Sequence, residues 1–232
     1  MYKRKCVAAV ILAAGSGNRM QIEENKVYLP LGGRAILAHS LSVFDAHPYV
    51  DELVLVTRAS EQAMLCALAS QMGLTKPYRT VLGGVTRKES VRLAISDLKS
   101  HIVLVHDGAR PLVRACHVTG CVEALRRYDG AVVAHPLYGQ VMERSADGRA
   151  RVLRAPQYVA QTPQCFPTKL LQACHVRYKD NPAITDDSSL LELAGYRVGL
   201  VMGERENLKV TTPLDLPIAE TYLVKREKGT VV

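Results

Sequence analysis

The sequence predicts an α/β protein with three layers, in which helices cover both faces of a mostly parallel, twisted, doubly wound sheet. Apolar runs of strand length alternate along the chain with segments whose apolar residues recur at helical spacing, such as Leu37, Leu41 and Phe44. The polar and glycine-rich motifs follow the ends of these runs, where sheets of this class place their ligand sites.

Each predicted strand is a short run rich in aliphatic and β-branched residues. These runs are Cys6–Leu12, Leu53–Thr57, Tyr78–Leu82, His101–His106, Ala131–Leu137 and Arg197–Val201. The segments between them that predict helices contain the apolar faces of Leu41, Leu65, Ile95 and Val122. Thr212-Pro213-Leu214-Asp215 predicts the start of a last amphipathic helix that ends near Val224.

Residues 138–160 interrupt this alternation, because they are polar and rich in turn formers. Asp147-Gly148 lies between two short extended stretches, which is typical of a β-hairpin. We predict a hairpin arm over residues 138–160, inserted into a single domain that spans residues 1–232. An exposed hairpin of this kind often serves dimerisation, and a disordered loop is the alternative.

Composition limits the class of partner. Lys and Arg outnumber Asp and Glu by 30 to 22, which gives a net charge of +8 and favours anionic ligands. The basic residues are dispersed and aromatic residues are scarce, so we expect no nucleic-acid interface. No apolar run reaches the ~18 residues of a membrane span. Six cysteines without zinc-ligand spacing predict reduced thiols and a cytoplasmic protein.

The first motif follows the strand Cys6–Leu12 and reads Ala13-Ala14-Gly15-Ser16-Gly17. Its glycines allow a sharp turn that presents backbone N–H groups to an anion. Arg19 and Lys26 come next and can neutralise that anion, so the segment predicts a triphosphate site. It lacks the third glycine of a dinucleotide fingerprint and the Lys-Ser/Thr ending of a Walker loop. The alternative is an ordinary strand-to-helix turn.

Two further motifs also follow predicted strands. Gly84 and Ser90 lie in a turn that opens a helix, where N–H groups and a hydroxyl can meet a base, ribose or phosphate; a plain turn is the alternative. Asp107 and Arg110 end another strand. Asp107 can accept sugar hydroxyls or support a magnesium ion through its water, and Arg110 can bind phosphate with two bonds. A structural ion pair between them is the alternative.

Later polar residues are less specific by themselves. Gln161-Thr162-Pro163-Gln164 is predicted as a polar loop stiffened by proline. Taken alone, Arg154 and Lys209 are typical of surface cations. Asp186 lies in a sequence typical of a helix N-cap, for which a structural role is favoured.

Seven motifs that occur in order carry a resemblance covering nearly the whole chain: LAAGSGNRM, K-x-Y-L, GGxxRxxSV, VLVHDGARP, QTPQxF, ITDDSSLLE and NLKVTTPxDLxIAE. With them the chain resembles the 2-C-methyl-D-erythritol 4-phosphate cytidylyltransferase family of isoprenoid biosynthesis. The resemblance implies a Rossmann-like nucleotidyltransferase domain and a homodimer. It also implies attack of the methylerythritol phosphate oxygen on the α-phosphorus of CTP, with release of pyrophosphate and with Mg²⁺ present.

The resemblance also implies roles for individual residues. The contacts to CTP are Ala13, Ala14, Gly15, Gly84 and Ser90. The cations counted as catalytic are Arg19 and Lys26, which stabilise the transition state, together with Arg154 and Lys209. The substrate contacts are Asp107, Arg110, Gln140 and Thr162. Arg154 reaches the neighbouring subunit's site from the arm, and Mg²⁺ is held largely by the phosphates of CTP, with no certain protein ligand.

The chain departs from the family pattern at three places. Gln140 replaces a threonine that contacts the sugar phosphate, Asn25-Lys26-Val27 stands for the common Pro-Lys-Gln, and Val85 replaces a frequent aspartate near the base. These changes weaken the substrate assignment more than the reaction class. One alternative is a ribitol 5-phosphate cytidylyltransferase. The other is a non-catalytic nucleotide-binding protein, which the retained cations Arg19, Lys26 and Lys209 argue against.

Overall fold

A seven-stranded sheet forms the centre of the fold in the computed structural model, which describes residues 1–15, 25–182 and 184–228. The strands of the described residues are β1 (Val7–Leu12), β2 (Pro30–Leu31), β3 (Arg34–Ala35), β4 (Glu52–Thr57), β5 (Tyr78–Leu82), β6 (Ile102–Asp107), β7 (Gly130–Pro136), β8 (Met142–Arg144), β9 (Ala150–Val152), β10 (Tyr158–Pro167) and β11 (Val198–Met202). The central sheet has the order β11-β7-β10-β6-β1-β4-β5.

The sheet is mostly parallel, as the sequence predicts. Its one antiparallel strand is β10, which lies between β6 and β7 and runs opposite to both. The other six strands therefore have their carboxyl ends at one edge. In the pairing of β1 with β6, Leu12 lies opposite Asp107, so the loop after β1 begins beside that carboxylate.

Helices cover both faces of the sheet. The helices of the described residues are α1 (Ile36–Ala46), α2 (Gln62–Met72), α3 (Arg87–Ile95), α4 (Ala115–Ala124), α5 (Thr168–Arg177), α6 (Asp187–Leu193) and α7 (Asp215–Glu227). One apolar core joins the sheet to α1, α2 and α4, and a second joins it to α3, α5 and α6. A smaller cluster packs α7 against the short β2. These are the three predicted layers.

Strand β1 shows why the chain folds this way. Successive side chains of a strand point to opposite faces, and β1 is apolar at every position. Val7, Ala9 and Ile11 lie in the first core, whereas Ala8 and Val10 lie in the second. A continuous apolar run is typical of a parallel strand that is buried on both faces.

The predicted loop at Gln161-Thr162-Pro163-Gln164 is wrong, because these residues lie inside β10 and are buried. Their polar groups have partners within the protein, which lets them occupy a central strand. Gln161 Nε2 donates to the carbonyl of Glu204 at 2.8 Å, and Gln164 Nε2 donates to Asp186 Oδ2 at 2.6 Å. The polar residues of this segment therefore led to the prediction of a loop where the structure has a strand.

The predicted cap of α6 is confirmed, whereas α7 begins at Asp215 rather than at the predicted Thr212-Pro213, and its N-cap Leu214 makes no side-chain capping hydrogen bond. Asp186 caps α6, since its Oδ1 accepts from the Ser189 N–H at 2.8 Å. At the start of α7, Asp215 Oδ2 accepts from the N–H groups of Thr211 and Thr212, each at 2.7 Å. The last helix ends at Glu227, three residues beyond the predicted Val224.

A hairpin stands apart from the central sheet at the predicted place. Strands β8 and β9 pair antiparallel, and the turn between them includes Gly148 at φ +86°, a conformation that favours glycine. The predicted arm is three residues too long, because Tyr158–Ala160 already belong to β10 and pair with β7. We define the arm as residues 138–157.

Two further predictions concern the whole chain. All six cysteines are free thiols in the structure, and Cys121, Cys165 and Cys174 are buried. Among residues 1–15, 25–182 and 184–228, no helix is long and apolar enough to cross a bilayer.

Candidate active site

A cleft of about 600 Å³ opens at the carboxyl ends of β1 and β6. It joins motifs that lie far apart in the sequence: the loop after β1, the turn before α3, the end of β6 and the segment before α7. The predicted site residues that line it are Ala14, Gly15, Lys26, Gly84, Ser90, Asp107 and Lys209. The fold therefore collects most of the predicted site in one place.

The loop after β1 presents backbone donors. The Ala13 N–H is used within the fold, since it donates to the Val56 carbonyl at 2.7 Å, and Ala13 is buried beneath the cleft wall. The N–H groups of Ala14 and Gly15 donate to none of the described residues. Arg19, the other predicted cation of this motif, lies outside the described residues.

Lys26 begins a short 3-10 helix, Lys26–Tyr28, at the cleft wall. Asn25 caps this helix, because its Oδ1 accepts from the Val27 N–H at 3.3 Å. Lys26 is only 7% exposed. A cation held at a partly desolvated position interacts with a bound anion more strongly than one in open water.

The turn between β5 and α3 forms the opposite wall. Thr86 caps α3 by accepting from the Glu89 N–H, and the Ser90 hydroxyl accepts from the Gly84 N–H, both at 3.1 Å. A Cβ at Gly83 would lie 2.5 Å from the Cβ of Ala14. Glycine at that position therefore lets the two loops approach each other and close the site.

Asp107 is the centre of a charged cluster. Its Oδ1 lies 3.1 Å from Arg87 Nε, and its Oδ2 lies 2.8 Å from Lys209 Nζ and 3.8 Å from Arg110 Nε. Burial alone raises the pKa of this carboxyl, but the charges of Arg87, Lys209 and Arg110 outweigh burial and hold the pKa well below its usual range. Asp107 is therefore a fixed anion that orients three cations.

Arg87 is a site residue that the sequence analysis missed. It lines the cleft and bridges two carboxylates, since Nε contacts Asp107 and Nη1 contacts Asp187 Oδ2 at 2.8 Å. His175 Nε2 lies 2.9 Å from the other oxygen of Asp187. Burial lowers the pKa of the Arg87 guanidinium, but Asp187 and Asp107 outweigh this effect and raise it. Its partners Asp107 and Asp187 lie 20 and 100 residues away in the sequence. Only the GGxxR pattern of the family indicated that this arginine belongs to the site.

Thr162 does not line the cleft of the single chain, so its role as a substrate contact stays a prediction. It is buried, and its hydroxyl accepts from the Asp107 N–H at 3.1 Å and lies 3.0 Å from His106 Nδ1. Thr162 thus positions Asp107. Arg110 also lies behind the wall, where Nη1 donates to the Asn207 carbonyl at 2.8 Å. Its contact with Asp107 supports the alternative of a structural ion pair.

Gln140 and Arg154 lie in the arm, are exposed, and do not line this cleft. Arg154 has no hydrogen bond or ion pair with any residue that the structure describes. A single copy of the chain therefore brings neither residue to the site, and their roles stay predictions.

The described cleft lining carries four cations, Lys26, Arg58, Arg87 and Lys209, against the single carboxylate of Asp107. This balance favours a polyanionic ligand. It does not fit a magnesium ion held by the protein, because Mg²⁺ needs several oxygen ligands and both oxygens of Asp107 are already held by cations. This argument concerns direct ligands, so a contact of Asp107 with Mg²⁺ through a bound water stays a prediction.

His106 supports the end of β6 and makes stability depend on pH. Burial lowers its pKa to about 3, an effect that the charge of Asp107 opposes. Because the unfolded ring titrates near 6.5, only the unfolded state gains a proton as the pH falls below that value. We expect the free energy of unfolding to decrease by up to ~1.4 kcal/mol per pH unit between about 6.5 and 4.5 from this residue.

Urea unfolding at a series of pH values measures this effect. His47 and His117 also have pKa values lowered by burial, so they add to the same slope. His106→Gln keeps polar atoms near Thr162 and removes the titration. An unchanged slope in His106→Gln would contradict the assignment.

A mostly parallel sheet with a glycine loop after its first strand, and a cationic cleft at its carboxyl edge, are features of an α/β protein that binds a phosphorylated ligand such as a nucleotide. Comparisons with known proteins define the class further. The family model described as "IspD: 2-C-methyl-D-erythritol 4-phosphate cytidylyltransferase" matches residues 7–225. The chain belongs to the 2-C-methyl-D-erythritol 4-phosphate cytidylyltransferase family, and it is an enzyme.

Individual relatives agree over nearly the full length. Proteins named 2-C-methyl-D-erythritol 4-phosphate cytidylyltransferase are 36% identical in Halalkalibacterium halodurans, with 95% of this chain and 98% of the relative covered, and 38% identical in a Synechococcus species, with 94% and 96% covered. The solved 4-diphosphocytidyl-2C-methyl-D-erythritol synthase of Anaerococcus prevotii is 31% identical with a TM-score of 0.85, covering 95% of this chain and 96% of that one.

Proposed function

We propose that this chain transfers the cytidylyl group of CTP to the phosphate of 2-C-methyl-D-erythritol 4-phosphate, a step of isoprenoid synthesis. The observation that carries the proposal is the shared cleft. Ala14 and Gly15 of the loop after β1 and Lys26 line the same cleft as Asp107 and Lys209. Two phosphorylated substrates can therefore meet there.

The reaction is a single displacement at phosphorus. An oxygen of the sugar phosphate attacks the α-phosphorus of CTP and forms a new P–O bond. The bond from the α-phosphorus to the oxygen that bridges it to the β-phosphorus breaks, and pyrophosphate leaves with that oxygen. A phosphate monoester is largely ionised at neutral pH, since its second pKa is about 6. The attacking oxygen therefore needs no side chain to remove a proton.

Catalysis then rests on alignment and cancellation of charge. The two substrates repel each other, and negative charge spreads over the oxygens of the α-phosphate as the new bond forms. Lys26 lies at the wall beside the donor loop and supplies a positive charge there. Arg19 has the same role by family resemblance.

Asp107 and Lys209 serve the sugar phosphate in this proposal. A carboxylate held ionised by its neighbours accepts hydrogen bonds from sugar hydroxyls, and the Lys209 ammonium, 2.8 Å from it, can turn to the phosphate. Arg87 holds the other carboxylate oxygen and fixes its direction. Gly84 and Ser90, on the opposite wall, contact the nucleotide.

We place Mg²⁺ with the nucleotide as part of the substrate. The described lining offers only one carboxylate, and cations hold both of its oxygens, so the phosphates of CTP supply the ligands. We also propose that the enzyme acts in the cytoplasm, where nucleotides are available and six free thiols stay reduced.

Pyrophosphate release measured side by side with two sugar phosphates tests the proposed function. We expect turnover with CTP and methylerythritol phosphate, and a much lower kcat/KM with ribitol 5-phosphate or with UTP in place of CTP. Preference for ribitol 5-phosphate would overturn the substrate assignment. Binding of CTP without turnover of either sugar phosphate would support a non-catalytic nucleotide-binding protein.

We further propose that the arm joins two copies of the chain. It carries exposed apolar side chains, with Tyr138 79% and Met142 55% exposed, and such side chains are suited to an interface. Arg154 lies on the arm without a partner among the described residues. In a two-fold dimer, each arm can bring its Arg154 to the cleft of the other copy.

Mixing two inactive variants tests this arrangement. Arg154→Ala and Lys26→Ala should each be weakly active alone. Random exchange of subunits makes half of the dimers mixed, and each mixed dimer has one intact site of two, so the mixture should recover about a quarter of wild-type activity. No recovery, despite subunit exchange confirmed by sedimentation of tagged copies, would show that Arg154 acts within its own chain or not at all.

A further inference from the structure

Three side chains outside the predicted site form a hydrogen-bonded set around residues 13–15, the described start of the loop after β1. Arg58 follows β4, Glu61 lies in the short 3-10 helix Ala59–Glu61, and Asn25 precedes Lys26. We propose that Arg58, Glu61 and Asn25 are positioning residues for the triphosphate of CTP. We call this set the loop bracket, and its role rests on the function proposed above.

Hydrogen bonds connect the bracket to three consecutive carbonyls. Asn25 Nδ2 donates to the Ala13 carbonyl at 2.6 Å, and Arg58 Nε donates to the Ala14 carbonyl at 3.2 Å. Arg58 Nη2 donates to the carbonyl of Gly15. Every carbonyl of the described part of the loop is therefore held by a side chain.

Glu61 joins the two halves of the bracket. Its Oε1 lies 3.3 Å from Arg58 Nη1, and its Oε2 accepts from Asn25 Nδ2 at 2.8 Å. The Glu61 side chain is 13% exposed and that of Arg58 is 31% exposed, so these bonds are partly protected from water. The Glu61 carboxylate thus fixes Arg58 relative to Asn25, the residue that precedes Lys26.

The bracket has a direct consequence for anion binding. A loop that binds phosphate must turn its N–H groups towards the ligand and keep its carbonyls away from it. The bracket holds the carbonyls of Ala14 and Gly15, whose N–H groups donate to none of the described residues and whose atoms line the cleft. Donors fixed before binding lose less freedom when the ligand arrives.

One member of the bracket, Asn25, is a departure from the family pattern. Asn25 stands where family members commonly have proline, which has no side-chain donor. Because the Asn25 amide contacts both the Ala13 carbonyl and Glu61, the substitution adds a connection across the loop.

Calorimetric binding of CTP and of cytidine to Glu61→Ala tests the inference. We expect the Kd for CTP to rise about tenfold, which corresponds to about 1.4 kcal/mol, and the Kd for cytidine to change less than about twofold. The KM for the sugar phosphate should also stay within about twofold. A merely structural role would not distinguish the phosphates from the nucleoside. Asp97→Ala, which removes an ion pair with Arg79 outside the cleft, is the matched control.

Two other variants keep the test decisive. Arg58→Lys keeps the charge but loses the fork that reaches two carbonyls, so it should weaken CTP binding even if Glu61→Ala does not fold. Glu61→Ala combined with Asn25→Ala should be little worse than the weaker-binding single variant, because residues of one network are not additive. Equal losses for CTP and cytidine, or unchanged CTP binding with a lowered Tm, would overturn the inference. Wild-type protein that fails to bind CTP overturns the proposed function as well.

Discussion

We expect Lys26→Ala to lower kcat by a factor of about 10²–10³, with a much smaller change in the KM for CTP. Lys26 lines the cleft beside the donor loop and is almost buried. In the proposed reaction, negative charge at the α-phosphate increases in the transition state. Removal of a preorganised group that stabilises such charge raises the barrier by about 3–4 kcal/mol. The effect therefore falls mainly on kcat.

Steady-state pyrophosphate release over a range of CTP concentrations measures this effect. Lys26→Arg should restore activity only in part, since a planar fork does not replace a point charge. Lys169→Ala, which removes an exposed lysine of α5, is the control for loss of one positive charge. Near-normal kcat in Lys26→Ala would remove this residue from the mechanism.

The second large effect concerns stability. We expect Asp187→Asn to lower the free energy of unfolding by about 3 kcal/mol, because it leaves the Arg87 guanidinium without one of its two buried carboxylates. Asp187 is 1% exposed and also contacts His175. For a chain of this size, that loss corresponds to a Tm decrease of roughly 6–12 °C.

Urea unfolding followed by circular dichroism measures the change. Asp97→Asn removes one charge from an ion pair whose aspartate side chain is 71% exposed, and it should change stability by less than ~1 kcal/mol. Asp187→Asn should also raise the KM for the sugar phosphate, because Arg87 holds Asp107 in place. Equal stability of the two variants would show that the buried pair contributes no more than a surface pair.

The six strands that the sequence predicts are all present, with boundaries shifted by no more than one residue. The inner strands β1, β4 and β6 could be predicted because burial on both faces demands apolar runs. The edge strands β5 and β11 are only partly buried, and their β-branched or aliphatic residues marked them instead. The missed strand of the central sheet, β10, is polar at Gln161 and Gln164, and its burial depends on partners such as Glu204 and Asp186. Those partners are distant in sequence, so periodicity could not reveal them.

The candidate site shows the same division. The place of Gly15 and Lys26 in the cleft lining could be predicted, because their spacing after β1 determines what the loop can bind. Arg87 and Arg58 could not, because their roles depend on Asp187, Glu61 and the carbonyls that they contact. A charged residue in a helix or after a strand is typical of a surface, and only the fold shows that these two face the cleft.

Isotope transfer tests the central claim, which is direct attack of the sugar phosphate on the α-phosphorus of CTP. Methylerythritol phosphate with heavy oxygen in its phosphate is incubated with CTP, Mg²⁺ and enzyme, and the products are examined by phosphorus NMR. The account predicts a diphosphocytidyl product with heavy oxygen in the new bridge, and pyrophosphate that contains none. Heavy oxygen in pyrophosphate, or no diphosphocytidyl product, would contradict it.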